Sequence, residues 1–105
     1  MIKQFDVIKV NSPDESKSEL YVVVSNDFVN SNSPYIWTYP VFQRDRIYLT
    51  DIELVTKKYN YDGVIDCGII GHIDLNKKTI KVLDKLQPRI QKKLIESIQA
   101  HIETI

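Results

Sequence analysis

The chain has 105 residues, 43% of them hydrophobic and 27% charged, with fourteen cations balanced by fourteen acids. That length predicts one domain over residues 1–105 with one core and room for one site. No run approaches the roughly 20 apolar residues of a membrane span, Met1 to Asp6 lack the apolar core of a signal peptide, and the single Cys67 has no partner for an internal disulfide. A cytoplasmic, non-membrane protein is therefore expected.

The balanced charge is unevenly placed. Between Lys77 and Lys93 seven cations stand against one acid, Asp84. A basic segment of this kind either attracts a phosphate backbone or an acidic partner, or is a solvated helix face.

In chain order, Phe5 to Val10 alternates well enough for a first strand with one wet face. Asn11 to Ser18 is polar and reads as a loop. Leu20-Tyr21-Val22-Val23-Val24 is the longest apolar run. Its β-branched content and strand length favour a buried central strand over a helix, closed by Ser25-Asn26-Asp27. Asn30 to Pro34 reads as a second loop, and Tyr35 to Phe42 as an aromatic, β-branched strand with a bend or an edge at Pro40. After Gln43-Arg44-Asp45-Arg46, the stretch Ile47 to Val55 alternates again, and Thr56 to Gly63 forms a turn. Val64 to Ile73 reads as one bent strand whose glycines, Gly68 and Gly71, suggest a bulge or a close backbone approach. Asp74 to Lys78 is a tight turn before a short strand over Thr79 to Leu83. The period then changes: Ile90, Leu94, Ile98 and Ile102 recur at helical spacing, with Pro88 in the first turn, predicting one amphipathic helix over Pro88 to Ile105.

Five or six short strands and one terminal helix predict a mainly β protein: a small barrel, a strongly curved antiparallel sheet capped by the helix. With these elements in place, the start Met1 to Val7, the core Tyr21 to Asp27, the Tyr39-Pro40-Val41 segment, Ile73 to Lys77 and the final helix resemble the PemK/MazF growth-inhibitor toxins. The resemblance spans nearly the whole chain. It implies the SH3-like barrel shared with the CcdB gyrase poisons, a homodimer, a cognate antitoxin, and metal-independent cleavage of single-stranded messenger RNA with no cofactor.

The departures from the family are specific. An Arg-Pro pair usually enters the central strand of the ribonucleases and supplies a catalytic Arg; here the pair is Glu19-Leu20. The family's Thr or Ser after a Pro-hydrophobic pair is replaced by Phe42. An anion at Glu19 would repel a scissile phosphate rather than stabilise its developing charge. CcdB toxins end in a Trp-Gly-Ile tail, which Glu103-Thr104-Ile105 does not match. The resemblance thus implies a toxin with non-standard catalytic residues, or a non-catalytic binding toxin on the same fold.

The side chains suggest replacements. Arg44 is read as a catalytic phosphate ligand and Arg46 as an RNA-binding one, either of which would otherwise pair with Asp45, Asp51 or Glu53. His72 is read as a catalytic acid or base, or else as a half-buried structural residue. Lys17 becomes the nearest cation if the family alignment shifts within the preceding loop. Trp37 and Tyr39, alternating with Tyr35, would stack RNA bases, or form core or dimer interface. Ser18 lacks an evident base, and Asp66 and Cys67 lack metal-site spacing, so no bound metal is expected. An enzyme requires at least two of Arg44, Arg46 and His72 on one groove; a binder requires an exposed apolar patch instead.

Overall fold

The computed structural model describes residues 1–11, 19–45 and 47–104. Its elements in chain order are β1 (Asp6–Asn11), β2 (Glu19–Val23), α1 (Asp27–Asn32), β3 (Tyr35–Phe42), β4 (Ile52–Glu53), β5 (Val64–Ile65), β6 (Gly71–Asp74), β7 (Thr79–Lys85) and α2 (Pro88–Ile102). The strands form one antiparallel sheet in the order β4-β5-β3-β2-β1-β7, with β6 also paired to β3.

The run chosen as a central strand is central. β2 lies between β1 and β3, and Val22 and Val23, which face opposite sides, are both fully buried. Pro40 sits inside the sheet rather than at its edge. Its carbonyl accepts the Asp66 amide, so its missing N–H points to the same side, into the gap where the partner of β3 changes from β6 to β5.

Among the described residues the sheet does not close through a strand ladder. Its two ends are instead linked where Thr56 bridges Leu86, flanked by Lys57 N–H to the Lys85 carbonyl at 2.8 Å and Gln87 N–H to the Val55 carbonyl at 3.0 Å. Asp84 secures the same seam. Burial alone would raise its pKa, but the Lys85 amide at 2.8 Å and the Lys58 amide, both donating to its carboxylate, help to outweigh burial and hold it below the usual carboxylate range.

Two cores follow from the pleat. On one face Val22, Val24, Tyr39 and Ile65 pack with Leu86, and α2 closes over them through Ile90 and Leu94. On the other, Ile8, Val10, Val23, Ile36 and Ile73 form a smaller cluster. Pro88 occupies the first turn of α2, as its spacing predicts.

Three expectations are corrected. Residues 27–32 form a short helix, because the Asn26 side chain accepts the Val29 amide at 2.9 Å and caps it. The alternation of Ile47 to Val55 yields a strand only at Ile52–Glu53. Val64 to Ile73 is two strands joined by a turn, in which the Asp66 carboxylate accepts the Gly68 amide at 2.9 Å. The basic segment is also not one helix face. It runs through a turn, β7 and α2, and Lys85 is paired with Asp6 at 3.1 Å.

Candidate active groove

Strand register assigns each candidate to a face. In β2 and β3, Tyr21 opposes Pro40 and Leu20 opposes Val41, so Glu19, Tyr21, Pro40 and Phe42 share one face. Trp37 opposes His72 and Tyr35 opposes Asp74 on the other. The His72 ring meets Tyr35 edge-to-face at 5.7 Å, which fixes it on that second face.

On the first face lies a groove in two arms. One arm, about 680 Å³, is walled by Pro40, Val41, Phe42 and Ile69; the other, about 490 Å³, opens between Val10 and the turn carrying Lys77 and Lys78. Glu19, Tyr21, His72 and Ile73 belong to both arms and mark their junction, His72 with its ring turned to the second face. The Tyr21 hydroxyl donates to Glu19 Oε2. Burial, then the hydrogen bond to Glu19 and the repulsion of its charge, push the Tyr21 phenol up to about 12, so it remains a proton donor to that carboxylate. Among the described residues, neither Lys77 nor Lys78 is in an ion pair.

Arg44 lies outside this groove. Its guanidinium reaches Asp51 at 2.5 Å and Asp66 at 3.2 Å, and lies over the rings of Phe42 and Tyr48. The Asp51 hydrogen bond, against some burial and with the Asp66 carboxylate adding, raises its pKa further. This is the carboxylate pairing weighed as the alternative for Arg44, and it is built inward: the Asp51 side chain is 1% exposed. The structure does not bring Arg44 and His72 together. Tyr39, read as RNA-stacking or else as core or dimer interface, is 2% exposed and lies in the core under α2. Lys17, Arg46 and Ser18 lie outside the described residues.

On the second face a larger apolar groove runs between β3 and α2, past Trp37, Tyr35, Ile70, Ile95 and Ile102. Trp37 is 57% exposed there. Cys67 closes its floor, with the thiol pushed up to about 11 by burial, the Ser97 bond working against this and the Asp51 and Asp66 charges adding to it. A thiol whose folded pKa exceeds its unfolded one, near 8.5, stays protonated while the unfolded chain ionises. Stability is thus fully present below that value and falls as pH rises toward 11. The urea midpoint is expected to drop across this window, with Tyr21 and Tyr39 adding to the loss above their usual range, and Cys67→Ala should make the drop shallower.

The junction pair was missed by sequence reasoning. A Glu and a Tyr two apart in a strand necessarily share a face, but Glu19 was weighed only as a lost arginine.

A family model described as PemK-like, MazF-like toxin of type II toxin-antitoxin system matches residues 3–102. No curated protein matches the sequence. Among solved structures, a MazE-MazF complex from Deinococcus radiodurans is similar with a TM-score of 0.83 at 12% identity, covering 99% of this chain and 97% of that one. An endoribonuclease in complex with its cognate antitoxin, from Mycobacterial species, gives 0.82 at 11% identity over 100% of both chains. The Mycobacterium tuberculosis toxin MazF-mt6 gives 0.72 at 14% identity over 90% and 93%.

Proposed function

We propose that this chain, which belongs to the PemK-like, MazF-like toxins of type II toxin-antitoxin systems, arrests growth by cutting single-stranded messenger RNA in the cytoplasm, without a metal ion. One observation carries the reading. Glu19 and Phe42, the positions where the family resemblance places its catalytic Arg and Thr, are neighbours across β2 and β3 in a groove with an apolar arm and a lysine-bearing arm. That division suits single-stranded RNA, whose splayed bases rest on rings while its phosphates meet cations.

An antitoxin partner is proposed with it, since the solved relatives include toxin-antitoxin complexes. The apolar groove between β3 and α2 is proposed as the seat of a second copy. The stripe of α2 outruns the core there: Ile90 and Leu94 are buried, whereas Ile95 is 43% and Ile102 77% exposed.

Inducing the chain in a bacterial culture is expected to halt growth and fragment total RNA, and Lys77→Ala/Lys78→Ala to relieve both. Arrest with intact RNA would replace this reading with the second one, a non-catalytic toxin that poisons a protein target. The commitment of Arg44 to Asp51 and Asp66 is the observation favouring that alternative.

A further inference from the structure

We propose that Glu19 is the general base of the RNA cleavage, taking the proton of a ribose 2′-hydroxyl at the junction of the two groove arms. This rests on the endoribonuclease reading above. It reverses the role of the position: where the family pattern has a cation for the phosphate, this chain has a proton acceptor for the nucleophile, and the cations come from the neighbouring turn.

The choice of Glu19 follows from what else the groove offers. Cleavage without metal needs a proton acceptor, a positive charge for the phosphate and a proton for the leaving oxygen. Three side chains bordering the lysine arm could accept a proton: Glu19, His72 and Asp74. The His72 ring is turned to the opposite face against Tyr35. Asp74 shares that opposite face and is engaged in its own turn, where Oδ1 accepts the Asn76 amide at 2.9 Å. Glu19 is exposed, on the groove face, and oriented through Oε2 by the Tyr21 hydroxyl, which leaves Oε1 as acceptor. Tyr21 is a positioning residue in this arrangement.

In the step itself, Glu19 removes the 2′-hydroxyl proton as the 2′-oxygen bonds to phosphorus. The bond from phosphorus to the 5′-oxygen breaks, and its electron pair takes a proton from a water molecule. The products are a 2′,3′-cyclic phosphate and a 5′-hydroxyl, and the hydroxide left from water recovers the proton held by Glu19. Lys77 and Lys78 face the negative charge gathering on the phosphate oxygens. The repulsion between Glu19 and the phosphate is greatest before reaction and declines as the carboxylate is protonated, so it weighs on the ground state more than on the transition state.

The test uses purified wild type, Glu19→Gln and Glu19→Asp on a mixed-sequence RNA oligomer, with the all-deoxy oligomer as an uncleavable binding probe. Gln keeps the size and the acceptor for Tyr21 but cannot serve as the base. Cleavage by Glu19→Gln is expected to fall at least about 100-fold, with affinity for the deoxy oligomer equal to or tighter than wild type, because the repulsion of the phosphate is removed, and with an unchanged melting temperature. Glu19→Asp should retain part of the rate, and wild-type products should carry cyclic phosphate. Cleavage by Glu19→Gln within about threefold of wild type, far below the usual loss of a general base, overturns the assignment while leaving the endoribonuclease reading intact. A wild type that cuts no RNA overturns that reading and this assignment with it.

Discussion

Leu94→Ala is expected to cost about 2–5 kcal/mol of stability, the range for truncating a fully buried leucine. Leu94 is 0% exposed and, with Ile90, anchors α2 to the core containing Val22, Tyr39 and Leu86. A helix of 15 residues is marginal alone in water, so its persistence depends on this contact rather than on propensity. Removing three carbons beneath it leaves a cavity walled by sheet residues that pair on both sides and cannot collapse inward. Each kcal/mol should lower the melting temperature by about 4–8 °C in a domain of this size. Ile95, the next residue but 43% exposed, provides the contrast: Ile95→Ala should change monomer stability by no more than about 0.5 kcal/mol. Urea unfolding of the two variants side by side measures the difference, and equal effects would show that α2 is not seated through Leu94.

Where the sequence was legible, the signal was local. β1, β2, β3, β7 and α2 each carry a period or an apolar run that no distant residue overrides. Two of the three misread regions, residues 47–55 and 64–73, have a common origin in Arg44. Its guanidinium draws in Asp51, whose carboxylate also accepts the Tyr48 amide at 2.7 Å, and this turns residues 48–51 out of the extended form their alternation suggests. The same guanidinium holds Asp66 at the point where Val64 to Ile73 breaks into two strands. The pairing of Arg44 with Asp51 is open to the sequence, but the pairing with Asp66 spans 22 residues and has no spacing signature. The site was half legible for a related reason. The family positions Glu19 and Phe42 were identifiable, but their shared groove with Lys77 and Lys78 depends on the β2–β3 register and on where the turn before β7 falls. The capped turn at Asn26 could have been found, since Asn followed three residues later by an apolar residue is a helix start.

Trp37→Ala is expected to raise the dissociation constant of the proposed dimer at least about 30-fold, the equivalent of the roughly 2 kcal/mol that defines an interface hot spot. The side chain is large and 57% exposed, and it lies over an apolar groove that α2 lines with Ile95 and Ile102. A tryptophan so placed is poorly explained by the fold of a single chain, because its exposed surface contributes little to the monomer's own burial. It is also on the face opposite Glu19 and lines neither arm of the groove there. The two roles considered for this ring separate in one experiment, with sedimentation velocity for assembly and the deoxy oligomer for affinity. Dissociation with unchanged affinity per protomer places Trp37 in a protein interface. An intact dimer that loses about 1–3 kcal/mol of affinity, the value of one stacked base, would instead make this groove a platform for RNA and leave the dimer to be sought on another face.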